Sequence, residues 1–155
     1  MDLKFLINFF PVYNTPIWDK FEPILDDFLE ILYPLLEKHI GFSHKIQSHL
    51  SVVFSNNEEV RNLNKLYRHT DKHTNVLSFP NLFLDELEYL KPEQDPYLGD
   101  VILAYETIEK EATEQDKDFI NHTKHLILHG ILHILGYDHI LESQANEMES
   151  LEINI

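Results

Sequence analysis

The sequence contains no cysteine, and it has only four glycines in 155 residues. The absence of thiols excludes a disulfide framework, a thiolate zinc finger, an iron–sulfur cluster and a cysteine nucleophile. Any metal ion must therefore be bound by His, Asp or Glu side chains. No apolar run approaches the roughly 20 residues that span a bilayer, and no small-residue cleavage site follows the N-terminal segment. We therefore expect a cytoplasmic protein without a membrane partner.

Positive charge is also scarce, with 12 Lys and Arg residues against 27 Asp and Glu residues and a net charge of −15. The imbalance lies in residues 81–155, which hold 4 basic and 17 acidic residues, whereas residues 1–80 hold 8 and 10. Because affinity for phosphates comes from Lys and Arg, a general polyanion-binding surface is not expected. Any contact with nucleic acid must be local.

The patterns of apolar residues predict a single domain over residues 1–155, without repeats or linkers. Strands are predicted at 3–9, 49–54, 76–79 and 101–105. Helices are predicted at 16–40, 58–69, 106–116, 119–135 and 142–152. Strands early and helices late indicate an α+β fold, in which a small mixed four-stranded sheet packs with about five helices.

Several local signals refine these boundaries. Thr15 is predicted to cap the first helix, and Pro23 and Pro34 to bend or split it. Asn57 is predicted to cap the second helix. The acidic, proline-containing stretch 81–98 is predicted to be a surface excursion, and the acidic side chains of the third helix are interpreted as a solvated face.

Three histidines in the segment HGILHILGYDH have the spacing of metal ligands. His129 and His133 are four residues apart and so share a helix face, and Gly136 lets the chain turn so that His139 returns as a third ligand. Three imidazoles suit a zinc ion and leave its fourth position for water or substrate, although nickel, copper and iron(II) accept similar ligands. The alternative is three histidines satisfied on a polar face, but unpaired imidazoles on so apolar a helix are costly.

The same spacing occurs in the metzincin protease signature HExxHxxGxxH. Those proteases use the Glu as the general base for zinc-bound water, and here that position is Gly130. Peptide hydrolysis by that route therefore lacks its base. A related reaction remains possible when the nucleophile is a metal hydroxide or a group on the substrate, such as the 2′-OH of RNA.

A second motif is basic. Arg61, Lys65, Arg68 and Lys72 follow one another at helical spacing, and the twelve residues that contain them include a single acid, Asp71. A solvated helix face is the ordinary interpretation of such a stripe. Its concentration in an acidic protein favours contact with phosphates, with Arg61, Lys65 and Lys72 as substrate-binding residues.

Taken together, these segments resemble the bacterial YbeY-type endoribonucleases, also called rRNA maturation factors. The resemblance rests on LNKLYRHTDKHTNVLSFP at 63–80, LGDVILA at 98–104, HGILHILGYDH at 129–139 and a helical tail with Met148 and Glu149. Residues 1–50 resemble the family only in their strand-then-helix layout.

The resemblance implies a zinc-dependent, single-strand-specific endoribonuclease of 16S rRNA 3′-end maturation and ribosome quality control. Its partners would be single-stranded RNA, 16S rRNA, and ribosomal particles or proteins. It implies that the three histidines of the block hold one Zn²⁺ ion and that Arg68 is important for activity. Two departures are His73 and Asn75, because the family usually has Pro and Asp at these positions, and no catalytic role is assigned to Asn75.

For several other residues the sequence allows more than one role. His125 shares the face of the proposed ligands and is expected to line the cleft rather than to close the metal site. Asp100 and Asp138 are candidates for orienting an imidazole. Tyr67 and Phe79 are candidates for stacking a base, although core packing is the commoner role of such rings. The remaining histidines are interpreted as surface or turn residues: His39, His44, His49, His69, His73 and His122.

Two other functions remain open. One is a metalloprotease or other zinc hydrolase that recruits its base from Asp100 or Asp138. The other is a non-catalytic ribosome-assembly factor in which the metal only stabilises the end of the helix, and the negative net charge favours this alternative somewhat.

Overall fold

The computed structural model describes residues 7–40, 47–71, 74–81 and 97–135. The strands are β1 (Ile7–Tyr13), β2 (Ser48–Ser55), β3 (Val76–Pro80) and β4 (Tyr97–Ala104). A 3₁₀ helix (Pro16–Phe21) precedes the α-helices α1 (Glu22–Ile40), α2 (Asn57–Arg68), α3 (Tyr105–Glu114) and α4 (Phe119–Ile134). Within these ranges no helix combines the length and the apolarity that crossing a membrane requires.

The four strands form one sheet in the order β1-β2-β4-β3. The pairs β1–β2 and β2–β4 are parallel, and β3 runs antiparallel to β4, with Ser78 opposite Val101. β1 is an outer strand of the described sheet, which accommodates Pro11 because a proline has no backbone N–H to donate to a neighbouring strand. The predicted mixed four-stranded sheet and the α+β class are therefore confirmed.

The two faces of the sheet carry separate apolar clusters, because successive side chains of a strand point to opposite faces. Val101 and Leu103 belong to the main core with the apolar residues of α1 and α4. Ile102 and Ala104 pack instead with Val60 of α2. As a result, α2 and α4 lie on opposite faces of the sheet.

The structure can be compared with the cap predicted at Thr15. The side chain of Thr15 accepts a hydrogen bond from the backbone N–H of Ile17, which confirms the cap. The helical segment is divided where the 3₁₀ helix ends and α1 begins, one residue before Pro23, and Pro34 lies inside α1.

The cap predicted for α2 was wrong by one residue. Asn56 is the cap, and its side-chain oxygen accepts from the N–H of Glu59 at 2.9 Å. The side chain of Asn57 instead accepts two hydrogen bonds from Thr107, from the N–H at 3.1 Å and from the hydroxyl at 2.8 Å. Asn57 therefore joins α2 to α3, a long-range contact that a local pattern does not reveal.

Other differences concern lengths. β4 begins at Tyr97, inside the stretch predicted as a surface excursion, and Leu98 and Gly99 are buried. β1 continues to Tyr13, beyond its predicted end, and residues 3–6 of that prediction lie outside the described residues. The described residues contain four α-helices and one 3₁₀ helix, against about five helices predicted, and the predicted helix at 142–152 also lies outside them.

Candidate functional site

A cleft of about 450 Å³ lies where β3, the C-terminal end of α2 and α4 meet. β3 is an outer strand of the described sheet, so the helices on its two faces can both approach the cleft around its edge. The residues that line the cleft are Arg68, Asn75, Val76, Leu77, Ser78, Lys117, His122, His125, Leu126, His129 and His133.

The histidines of α4 form one wall of the cleft. His129 is half-buried and His133 is exposed, and both line the cleft from the same helix face. His125 lies one turn earlier, with its ring centroid 6.2 Å from that of His129. The opposite face of α4 carries buried apolar residues such as Ile127 and Ile131, which hold the helix on the sheet. His139 lies outside the described residues.

Gly130 lies where α4 approaches the sheet closely. A Cβ atom on this residue would lie 2.8 Å from Cγ1 of Val101 and 3.1 Å from the hydroxyl oxygen of Ser78. The Ser78 hydroxyl donates a hydrogen bond to the carbonyl oxygen of Gly130 at 3.3 Å. The position that carries the base in metzincins therefore faces the sheet in this protein, and a side chain there would meet packed atoms.

Arg68 approaches the cleft from α2. Its Nη2 atom donates to the carbonyl oxygen of Ser78 at 2.6 Å, and its Cζ atom lies 5.3 Å from the centre of the Phe79 ring. α2 ends immediately afterwards at His69, which has a left-handed conformation with φ 55°. The guanidinium is thus fixed beside β3 by one of its five N–H donors, which leaves the group able to bind an anion with the others.

The other residues of the basic stripe are placed differently. Arg61 forms an ion pair with Asp71, with Nε–Oδ1 and Nη2–Oδ2 distances of 2.6 and 3.2 Å, and this hydrogen bond and charge raise the pKa of Arg61. Lys65 is exposed, and neither Arg61 nor Lys65 lines the cleft. Lys72 lies outside the described residues. Of the stripe's described members, Arg68 alone lines the cleft.

A partly buried polar network that the sequence patterns did not reveal forms part of the cleft wall. The Asn75 side-chain amide donates to both carboxylate oxygens of Glu111, at 3.0 and 3.3 Å, and Nε2 of His122 lies 3.0 Å from Oε1 of the same residue. The prediction that His122 is a surface or turn residue was wrong, because His122 is 5% exposed. Its position seven residues before His129, two helical turns away on the same face, is the signal that could have indicated this.

The network also explains what the amide of Asn75 contributes. Asn75 donates to a carboxylate, whereas an aspartate at the same position would place a second carboxylate beside Glu111 and would favour protonation of one of the two. Glu111 belongs to the acidic helix interpreted as a solvated face, but its side chain points to the cleft wall and joins the residue before β3 to α4.

Replacing Glu111 with alanine is expected to destabilise the protein by about 1–3 kcal/mol, because it leaves the buried His122 and the Asn75 amide without their acceptor. The measurement is urea denaturation at pH 7. Glu114→Ala is the matched control on the same helix. Glu114 is exposed, and its ion pair with Lys110 is long, at 4.0 Å, so we expect this substitution to change the stability very little. Equal stability of both variants would contradict the network.

Asp100, one of the two acidic candidates for orienting an imidazole, does not line the cleft. Asp100 accepts a hydrogen bond from the Ser51 hydroxyl across β2 and β4, and it lies on the sheet face opposite α4. It also interacts with Tyr97, whose pKa is raised to about 12, mainly by burial. Asp138 lies outside the described residues.

The fold and this cleft define an α+β protein in which imidazoles from one helix and a guanidinium from another helix line one cleft at the edge of the sheet. The family model described as Endoribonuclease YbeY matches residues 19–155. The chain belongs to the YbeY endoribonuclease family, and the resemblance seen in the sequence is confirmed.

Curated relatives carry the same description, Endoribonuclease YbeY. A protein of Agrobacterium fabrum is 48% identical over 111 residues, which cover 72% of this chain and 64% of the relative. A protein of Erythrobacter litoralis is 51% identical over 105 residues, which cover 66% of this chain and 65% of the relative. A protein of Francisella philomiragia is 39% identical over 135 residues, which cover 83% of this chain and 78% of the relative. The chain thus spans just under two thirds of the first two relatives.

The fold also has a counterpart among solved structures. The solution structure of TM1509 from Thermotoga maritima matches 93% of this chain and 87% of its own chain, with a TM-score of 0.60 and 22% identity. At that identity the similarity establishes the fold alone.

Proposed function

We propose that this protein is a single-strand-specific metallo-endoribonuclease that cleaves RNA phosphodiesters, and that it acts in the cytoplasm in 16S rRNA 3′-end maturation and ribosome quality control. Membership of the YbeY family supports the RNA substrate. The observation that carries the proposal is that Arg68 and the α4 histidines, which are far apart in the chain, line one cleft.

The metal in this proposal is one zinc ion held by His129, His133 and His139. The donor chemistry fits, because His129 and His133 bring two imidazoles from one helix face to the cleft, and imidazole nitrogen is a preferred zinc ligand. When bound, the ion would polarise a phosphoryl oxygen or lower the pKa of a water molecule. The close packing of Gly130 on β4 fixes the helix face on which these imidazoles lie.

Arg68 has a separate role in the proposal, to bind the phosphodiester and stabilise the negative charge that develops on it. A guanidinium suits this role because its planar donors match two phosphate oxygens at once. The bond to Ser78 holds the group in place before the substrate arrives, so less conformational entropy is lost on binding.

We expect Arg68→Ala to reduce the turnover of single-stranded RNA by about 10²–10³-fold, because it removes a donor to the developing charge. Zinc content should be unchanged, since Arg68 is not a proposed ligand. The measurement combines a cleavage assay on a labelled single-stranded RNA with elemental analysis of the purified protein. Lys110→Ala, which removes an exposed charge on α3 outside the cleft, is the control and should keep nearly full turnover. Full cleavage by Arg68→Ala would refute the assignment.

A non-catalytic ribosome-assembly factor is the second candidate, because the net charge of −15 disfavours affinity for naked RNA. In the proposed enzyme, ribosomal particles or ribosomal proteins supply the missing affinity. Purified, zinc-loaded protein that binds ribosomal particles but cuts no single-stranded RNA, with or without those particles, would favour the second candidate. Casein as a parallel substrate tests the protease alternative, and Asp100, one of its two candidate bases, lies on the sheet face opposite α4.

A further inference from the structure

The C-terminal end of α2 exposes two large apolar side chains immediately before Arg68. Leu66 is 66% exposed and Tyr67 is 63% exposed, so neither belongs to the core. Single exposed apolar residues are common on soluble proteins and need no explanation. These two differ because the residue that follows them lines the cleft.

Tyr67 is part of an ordered aromatic surface. Its ring centroid lies 5.6 Å from that of Phe79, with an angle of 66° between the rings, which is an edge-to-face contact. The guanidinium of Arg68 lies 5.3 Å from the centre of the same Phe79 ring. Phe79 therefore contacts both the exposed tyrosine and the cleft arginine, and it holds them side by side.

The charges around this surface favour an anionic ligand. Lys65 is exposed on the same helix and Arg68 borders the ring, whereas Arg61 is already paired with Asp71. A ligand that brings both a flat apolar group and a negative backbone matches this combination. Single-stranded nucleic acid has both, because unpaired bases stack on aromatic rings while phosphates bind the adjacent cations.

We propose that Tyr67 is a stacking site for an unpaired nucleobase of single-stranded RNA, next to the phosphodiester bound by Arg68. The inference rests on the proposed function and deepens it, because it gives a physical reason for a preference for single strands. A base inside a duplex is already stacked and does not offer its face to Tyr67. Stacking of this kind tolerates different base identities, so we expect little sequence preference.

The first test is a fluorescence experiment on the Tyr67→Trp protein. The chain has one tryptophan, Trp18, which is fully buried, so an introduced indole gives the solvent-exposed signal. Short single-stranded oligouridylate and oligoadenylate should quench this signal. An abasic ribose-phosphate oligomer of equal length and an RNA duplex should not. Ile24→Trp on α1, at a position that is 48% exposed, is the control and should respond to none of the four probes.

The second test uses steady-state kinetics on single-stranded RNA. Tyr67→Ala should raise KM about 10- to 100-fold, because that is the affinity that one stacked base contributes, while kcat changes little. Tyr67→Phe, which keeps the ring, should retain the original KM. Leu66→Ala is the control for a general apolar contact and should also leave KM unchanged. Equal losses for Leu66→Ala and Tyr67→Ala would indicate an apolar partner surface and would overturn the stacking site.

The results separate this inference from the proposed function. One outcome is that single strands quench the Tyr67→Trp protein while the unsubstituted protein cuts no RNA. This outcome would support the stacking site and refute the nuclease. Efficient RNA cleavage with no quenching and an unchanged KM in Tyr67→Ala would refute the stacking site alone. Quenching by the abasic oligomer to the same degree as by oligouridylate would also refute it.

Discussion

His133→Ala should lose bound zinc and reduce RNA cleavage by at least about 100-fold, because it leaves two of the three proposed ligands. The side chain of His133 is exposed at the cleft, so its loss should not disturb the packing of α4 on the sheet. The measurements are elemental analysis after gel filtration and cleavage of a labelled single-stranded RNA. Circular dichroism of the metal-free proteins establishes that the fold is retained.

The control for this variant is His125→Ala, on the same face of α4. His125 is half-buried and lines the cleft, but it is not a proposed ligand. We expect this protein to retain one zinc ion per chain. Retention of zinc by His133→Ala together with its loss from His125→Ala would show that the ligand set is wrong.

Gly130→Glu, which restores the metzincin base at its sequence position, should destabilise the protein by at least about 3 kcal/mol and confer no peptidase activity. Even a Cβ atom there would lie 2.8 Å from Cγ1 of Val101, and the carboxylate would be forced among buried atoms. Urea denaturation and a casein assay check the two parts of this expectation. A stable Gly130→Glu protein with peptidase activity would contradict the packing described here.

A double-mutant cycle isolates the steric cause. Gly130→Ala adds only the Cβ atom, and Val101→Ala removes the methyl groups that it would meet. We expect the two substitutions together to destabilise less than the sum of their separate effects, with a coupling of about 1 kcal/mol. Additive effects, or a Gly130→Ala protein stabilised by the full helix propensity of alanine, would contradict the close approach of α4 to β4.

Much of the fold followed from local patterns. The apolar spacing of α4 is long and regular and β2 contains a compact apolar run, so their bounds differ from the prediction by about one residue. β4 was harder to predict, because its first residues, Tyr97 to Asp100, follow an acidic stretch and include a glycine. Burial against neighbouring elements determines where β4 begins, and the spacing of residues in the sequence does not reveal that burial.

The candidate site residues also divide into those that local spacing predicts and those that depend on contacts between elements. His129 and His133 were predicted from a spacing of four residues, which is a property of one helix. The contact of Arg68 with β3 and the pairing of His122 with Glu111 join separate elements, and no local pattern contains them. Tyr67 had two open interpretations, and its exposure in the folded chain excludes core packing, whereas base stacking stays a proposal.

The amino-acid sequence by itself determined the family, the α+β class and the face of α4 on which the histidines lie. These properties depend on residue types and on spacings within single elements. Only the tertiary structure decided which described residue of the basic stripe reaches the cleft, why position 130 has no side chain and which polar groups support the cleft wall. Those properties depend on distances between elements that the chain separates, and packing alone brings them together.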